Sequence, residues 1–390
     1  MPLALYLLAL AVFAMGTSEF MLAGLVPDIA VSLGVTVGAA GLLTSAFAVG
    51  MVIGAPVMAV LARRWPARAS LLGCVAVFAL CHVVGAVTTN FAVLFGTRVI
   101  AALANAGFLA VALSTAATLV AADQKGRALS VLLGGTTVAT IAGVPGGAML
   151  GALLGWRSAF WAIALLCLPA AIGILKAIPG GDEGISGGAA VGPSLRHELA
   201  QLTSRALGVA MLLAALVNAG TFATFTFLAP IVTDTAGLPE LWVPVVLVLF
   251  GSGSFIGVTV AGRYSDHRPG FVIAVGGPLL LIGWVALVVL AAHPVALLIL
   301  VFVQGMSAFA VGSTLIARVL YAASGAPTMG GSYATAALNI GATCGPALAA
   351  ASLPGPAGNL GPVWVGVVLT GLALPGMLLM AARQRTPWLR

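Results

Sequence analysis

Charge is almost missing from this chain. Lys, Arg, Asp and Glu together make up 6% of its 390 residues, where a soluble domain carries about 25%. That shortage excludes a soluble enzyme, a disordered protein and a nucleic-acid binder. Cysteine is scarce too. Cys74, Cys81, Cys167 and Cys344 each sit inside an apolar run. None belongs to a CxxC or a Cys/His cluster with metal spacing, so they read as small buried residues. The N-terminus lacks a basic leader region, and its apolar run carries Glu19 near its end. It reads as a retained first span, Leu3–Val26, and not as a cleaved signal. There is no nucleophile–base pair and no metal-spaced cluster. The reading is therefore of a protein that is not an enzyme and needs no metal or cofactor.

What the chain does have is hydrophobic length. Hydrophobic residues make up 61% of it, and a helical span needs about 20 of them to cross a bilayer. Charges, prolines and polar clusters divide it into twelve apolar segments: 4–26, 38–61, 69–88, 92–120, 128–154, 157–178, 206–232, 242–264, 271–291, 294–323, 328–352 and 361–382. Twelve spans leave no room for a sizeable soluble domain. The strongest break, 179–205, opens Pro179-Gly180-Gly181-Asp182-Glu183 and ends in a short amphipathic stretch. It reads as a linker between a first half, 1–178, and a second, 206–390.

The basic residues orient the chain. Arg63, Arg64, Arg68, Lys125, Arg127, Lys176, Arg196, Arg205, Arg263, Arg268, Arg318, Arg383, Arg385 and Arg390 fall on one side, and Arg157 alone on the other. By the positive-inside rule both termini are cytoplasmic. Trp156, Trp161, Trp242 and Trp364 fall near the outer boundary, where an aromatic belt belongs. The halves also repeat. Gly50, Ile53, Gly54, Val57 and Pro66 recur 203 residues later as Gly253, Ile256, Gly257, Val260 and Pro269. Gly16-Thr17 recurs 204 residues later as Gly220-Thr221. Six spans separate the copies, so the repeat is parallel. The expected fold is an all-α membrane protein of twelve helices in two pseudo-symmetric six-helix bundles.

Ionisable residues deep in a span cost about 2.5–3.5 kcal/mol on insertion scales, which makes each a functional candidate. Two stand out. Glu19 lies ~10 Å below the outer end of span 1, and Arg98 ~9 Å into span 4. They share a depth and have opposite charge, so they either work on a proton together or form an ion pair that locks spans 1 and 4. Asp28, after Pro27 at the outer mouth, reads as a loop residue or helix cap. His82, alone in span 3, reads as core.

Neutral polar residues come next. Asn105 is seven residues beyond Arg98, on the same face of span 4. Asn218, Thr221, Phe222 and Phe225 share a face of span 7. Gln304 is near mid-depth in span 10, and Asn339 belongs to a polar stripe on span 11. Each is a candidate for a cavity that takes an amphipathic molecule, or else glue between helices. Small-xxx-small spacing marks spans 2 (Ala46, Gly50, Gly54), 5 (Gly143, Gly147, Gly151), 8 (Gly253, Gly257, Ala261) and 11 (Ala337, Gly341, Gly345, Ala349). These faces are expected to form the contacts between the halves that open and close. Pro145 should kink span 5.

Over essentially its whole length the chain resembles the twelve-span drug:proton antiporters of the major facilitator superfamily, and among them the actinobacterial chloramphenicol-resistance exporters. The stretches that carry the likeness are Gly16-Thr-Ser-Glu19-Phe-Met-Leu-Ala-Gly-Leu-Val-Pro-Asp28, Leu103-Ala-Asn-Ala-Gly-Phe108, Gly143-Val-Pro-Gly-Gly147 and Gly330-Gly-Ser-Tyr-Ala-Thr-Ala-Ala-Leu-Asn339. The family's cytoplasmic gate resembles G-x-L-A-D-R-x-G-R-R. After span 2 the chain has Arg63 where that motif has its acid, followed by Arg64. After span 8, Asp266 keeps the acid and is followed by Arg268. The family's span-4 arginine, implicated in proton transfer, matches Arg98, and its span-5 antiporter motif loosely matches Gly143–Gly151.

The resemblance implies proton-coupled efflux of chloramphenicol or a related amphipathic drug across the inner membrane by a monomer. Its partners are the drug, protons and the lipid bilayer, with no nucleic acid. Glu19 and Arg98 would couple the proton. Asn105, Asn218, Phe222, Phe225, Gln304 and Asn339 would meet substrate. Arg64, Asp266, Arg268 and Pro145 would gate. Export of sugars or nucleosides by the same fold is the alternative, although the sparse polar inventory suits an aromatic ligand better.

Overall fold

A computed structural model describes residues 2–61, 66–121, 124–178, 195–265, 269–326 and 329–384. Among them there is no strand, and twelve helices are long and apolar enough to cross a membrane. They are span 1 (Leu3–Gly24), span 2 (Val37–Met58), span 3 (Ala67–Val87), span 4 (Phe91–Ala116), span 5 (Arg127–Leu154), span 6 (Trp156–Ala177), span 7 (Arg205–Thr226), span 8 (Trp242–Tyr264), span 9 (Gly270–Leu290), span 10 (Pro294–Ala322), span 11 (Gly330–Ser352) and span 12 (Gly358–Ala382). Hydrocarbon leaves backbone polar groups no partner but each other, so apolar runs of this length close into helices.

Spans 1 to 6 pack around one apolar cluster and spans 7 to 12 around a second. The clusters exchange residues at the arginine-poor end, the outer end of the sequence reading. Phe227 of the second half is buried in the first cluster, and Val144 and Ala148 of the first half are buried in the second. Span 2 runs along span 11, where the Ser45 hydroxyl donates to the Thr343 carbonyl at 2.8 Å. The outer half of span 5 packs on span 8. Gly38 faces Ala350, Gly41 lies under the Phe227 ring, and Gly251 lies on the backbone of Thr140. The outer ends are thus closed on one another.

The small-residue faces do something other than what their spacing suggested. Gly50 and Gly54 meet span 4 at Val99, Ala102 and Leu103, while Gly253 and Gly257 meet span 10 at Phe302 and Met306. Gly143 and Gly147 meet span 1 at Thr17 and Met21, Gly151 meets Leu25 just past its end, and Gly341 and Gly345 meet span 7 at Ala215 and Ala219. Every one of these glycine contacts is inside a half, whereas Ala349, the last residue of the span-11 stripe, is buried in the first half's cluster. Small residues let two backbones approach wherever a crossing is tight, and here the tight crossings build each bundle. Among the glycines, contact between the halves falls instead to Gly24, Gly38, Gly41 and Gly251.

Pro145 breaks span 5 as expected. Its ring crowds the carbonyl of Ile141, and it has no N–H to donate. The chain absorbs this with a π-helical turn over Ala139–Gly143 before the helix resumes at Val144–Leu154. Three of the cysteines are buried as expected, but Cys344 is exposed. Trp161, Trp242 and Trp364 are exposed as a belt requires, whereas Trp156 is buried against Phe160. Between the halves, a short helix at Leu195–Ala200 docks on span 11. The Tyr333 hydroxyl donates to the Glu198 carbonyl, and the Met329 N–H donates to the Glu198 carboxylate, both at 2.8 Å.

Candidate functional site

The Asn90 side chain caps span 4 by accepting the N–H groups of Ala92 and Val93. That fixes the helix start and sets Arg98 about two turns inside it. Arg98 is 1% exposed. Its Nη1 donates to the Ser18 hydroxyl and its Nη2 to the Ser18 carbonyl, both at 2.7 Å. Its guanidinium carbon lies 4.5 Å from the centre of the Phe47 ring. Charge-assisted hydrogen bonds of this kind are worth about 1.5–3 kcal/mol each, and the ring face adds a cation–π attraction. Together they offset the desolvation of a guanidinium sunk this deep. The Arg98 Nε is left without a partner.

The directions of the remaining bonds follow from the acceptors. The Phe78 carbonyl can only accept, so His82 Nδ1, 2.7 Å away, carries the hydrogen. In the neutral ring Nε2 then accepts, and it takes the Ser18 hydroxyl hydrogen at 2.7 Å. The Ser18 oxygen in turn receives Arg98. The result is a directed chain from span 4 through span 1 to span 3.

Glu19 is the next residue along span 1. It is half-buried and neither hydrogen-bonded nor ion-paired to Arg98, although the guanidinium is close enough to act on it electrostatically. A helix turns about 100° per residue. Ser18 faces spans 3 and 4, and Phe20 faces span 7, so Glu19 lies between those two faces and inside the bundle. At the repeat offsets, Glu19, His82 and Arg98 fall on Ala223, Val285 and Val301. The charged chain belongs to the first half alone.

Phe20 opens the second part of the site. Its ring lies 5.7 Å from Phe222 and 6.5 Å from Phe225. Phe225 stacks on Phe250 at 4.8 Å, and Phe250 meets Phe309 at 6.1 Å. All fall in the 4.5–7 Å range of favourable ring pairs. These five rings, with Val144, Thr140, Thr221 and Ser254, line a small cavity of about 20 Å³ between the halves. The three hydroxyls donate to carbonyls of their own helices, at Thr137, Val217 and Phe250. What they turn to the cavity is therefore lone pairs. The cavity is an aromatic box with acceptors and no charge.

Of the residues singled out from sequence, Thr221, Phe222 and Phe225 reach this cavity. Asn105 lies between spans 4 and 2, its Nδ2 on the Met51 sulfur at 3.6 Å. Asn218 joins spans 7 and 11 through the Leu338 carbonyl at 2.7 Å. Gln304 lies between spans 10 and 9, donating to the Leu280 carbonyl. Asn339 donates to Thr335 on its own helix. Arg64, Asp266 and Arg268 lie outside the described residues. Sequence reading missed Phe20, Thr140, Val144, Phe250, Ser254 and Phe309. No local signal separates Phe250 from Phe255, which is 48% exposed toward lipid. It also missed the Ser18–His82 link, although a lone histidine in an apolar span was the visible hint. No group of three His, Cys, Asp or Glu suited to a metal occurs among the described residues.

The sequence matches the family described as the Major Facilitator Superfamily over residues 8–346. The chain belongs to the major facilitator superfamily. Among curated relatives of this superfamily chain, a "Chloramphenicol resistance protein" of Streptomyces lividans is 68% identical over 374 residues, 96% of this chain and 95% of that one. An "Inner membrane transport protein YdhP" of Escherichia coli K12 is 31% identical, covering 97% and 95%. A crystal structure of a bacterial homologue of the human lysosomal transporter Spinster, in an inward-facing and unoccupied conformation, superposes with a TM-score of 0.68 at 17% identity, covering 98% of this chain and 94% of that one. The fold is that of a multi-pass major facilitator transporter.

Proposed function

We propose that this chain expels chloramphenicol, or a closely related amphipathic aromatic drug, in exchange for protons across the inner membrane. The observation that carries the reading is the aromatic cavity between the halves, with its wall residue Phe20 adjacent in sequence to Glu19. The name of the Streptomyces relative supports the drug, and that of the Escherichia relative supports the membrane. The fourteen-to-one distribution of basic residues supports cytoplasmic termini.

In this state the cavity has room for about one water; once the halves part, its walls suit a neutral ring that brings its own hydrogen-bond donors. Its rings stack on the ligand, and its hydroxyl lone pairs accept from it. A sugar needs many paired donors and acceptors, and this wall offers three hydroxyls among five phenyl rings. With the outer ends closed, substrate is to arrive from the cytoplasmic side once spans 2 and 11, which touch there through the Ser332 hydroxyl and the Ala55 carbonyl, move apart. Residues 1–178 and 206–390 then rock about the cavity, with 179–205 as the tether. Glu19 carries the proton. Burial favours the neutral acid and a nearby guanidinium favours the carboxylate, so a change in the distance between Glu19 and Arg98 loads and unloads it.

Exchange of one proton for a neutral drug moves one charge inward, worth ~2.3 kcal/mol per 100 mV. At ~1.4 kcal/mol per tenfold, that sustains roughly a 50-fold drug gradient. The test is expression in a drug-sensitive host with a panel of antibiotics, with and without a protonophore. Chloramphenicol resistance that the protonophore abolishes is expected. A well-expressed Glu19→Gln protein that still gives full proton-driven resistance refutes the coupling role.

A further inference from the structure

We propose that His82 and Ser18 are positioning residues for the proton step, holding the Arg98 guanidinium against Ser18 and off the Glu19 carboxylate in the outer-closed state. The proposal deepens the coupling reading above and rests on it. It stands on geometry. Arg98 spends both terminal amines on Ser18, one on the hydroxyl and one on the carbonyl. The hydroxyl can take that bond and keep its orientation because His82 Nε2 receives its hydrogen. His82 is itself fixed by the Phe78 carbonyl and sandwiched by the Phe78 and Phe160 rings at 4.3 and 5.7 Å. Every member of the chain is buried, and each bond has one permitted direction.

The alternative partner is one residue away. Glu19 follows Ser18 on the same helix, and the Arg98 Nε is an unused donor. A step of the guanidinium from the Ser18 hydroxyl to the Glu19 carboxylate would exchange a neutral acceptor for a charged one without moving span 4. The imidazole opposes that step by keeping Ser18 a good acceptor. The ionisable neighbours of Arg98 are Glu19 on span 1 and Cys81 and His82 on span 3, while span 2 presents the Phe47 ring. His82 thus acts through Ser18 and Arg98 and touches neither the drug nor Glu19.

The experiment uses the full chain in proteoliposomes with radiolabelled chloramphenicol. Two rates are read: drug exchange at equal pH on both sides, and uphill accumulation driven by a pH gradient. His82→Leu keeps the volume and removes the acceptor. It is expected to keep exchange within about twofold and to lose uphill accumulation by tenfold or more. His82→Gln, whose amide oxygen can accept from Ser18, is expected to restore more than half of it. Ser18→Ala, which keeps the backbone bond, covers the case in which His82→Leu fails to insert, and should show the same split. Uphill accumulation at the wild-type level in His82→Leu or Ser18→Ala overturns the proposal. So does an equal loss in His82→Gln and His82→Leu, because shape and not acceptance would then be what matters. Glu19→Gln runs alongside. If it still accumulates drug against the gradient, the underlying coupling reading fails. If it is uncoupled while His82→Leu is coupled, only the positioning role fails.

Discussion

Arg98 gives both terminal amines to Ser18 and neither to Glu19, the residue beside it on span 1. A buried arginine and a half-buried acid of matching depth are thus neighbours without being an ion pair. That leaves the acid unpaired in the state where the outer ends are closed, and makes the arginine's fork the part most sensitive to substitution.

The fork decides what Arg98 substitutions should do. Lysine offers one compact charge and cannot span a hydroxyl and a carbonyl together. Arg98→Lys is expected to keep part of the pH-driven uptake into inverted vesicles, lowered about tenfold by the loss of one charge-assisted bond. Arg98→Ala should be inactive. Equal uptake by the two would assign Arg98 to scaffolding.

The aromatic box gives a prediction with its own control. Phe225 touches Phe20, Phe222 and Phe250. Phe225→Ala should weaken chloramphenicol binding about tenfold, since each ring contact contributes about 0.5–1.5 kcal/mol beyond burial. Phe255→Ala, on an exposed ring of span 8, should leave binding unchanged. Scintillation proximity binding on purified protein reads both, and similar losses would remove the cavity from substrate recognition.

Two glycines separate contacts between the halves from contacts within one. A methyl on Gly251 would strike the backbone oxygen of Thr140 across the junction of the halves. Gly251→Ala should force spans 5 and 8 apart and raise labelling of cysteines placed at the outer mouth. Gly341→Ala strikes the span-7 backbone at Ala215, inside the second half. It should lower the melting temperature, with overpacking costing about 1–3 kcal/mol, and leave outer labelling as it was. Equal labelling in the two variants would contradict the assignment of these contacts.

Asp28 carries a pH prediction. It stands half-buried in the first turn of the helix Val26–Leu33, outside the spans. Burial first, and the Glu240 carboxylate of the other half second, hold its carboxyl above the usual Asp value of 3.8. Opening the outer side relieves both effects, so the closed form binds this proton more tightly. Its contribution to closure is complete below the ordinary value and is lost as pH rises through the raised one. Outer-mouth labelling of the wild type should therefore increase with pH just above the ordinary Asp range. Asp28→Asn should be flat there, and a persisting slope would place the titrating group elsewhere.

Much of this was legible in the residues. Hydropathy marked twelve spans, the 203-residue offset marked the repeat, and Glu19 and Arg98 announced themselves as charges where charge is costly. Pro145 predicted its own break. The small-residue faces misled about their partners because a glycine stripe reports only that some backbone comes close, and each bundle needs such approaches as much as the junction does. The polar residues Asn105, Asn218 and Gln304 were visible, but an amide in a span is equally well satisfied by a neighbouring helix or by a ligand.

The sequence by itself determined that this chain spans a membrane, how many times, and which charged side chains must be sheltered, because hydrocarbon penalises exposed backbone and charge regardless of packing. Only the tertiary structure decided that Arg98 rests on Ser18 with His82 behind it, and that Phe20, Phe225, Phe250 and Phe309 meet across two halves. In a lipid environment an apolar face suits a tail, a neighbouring helix or a drug equally well, so the choice among them is made where the helices cross.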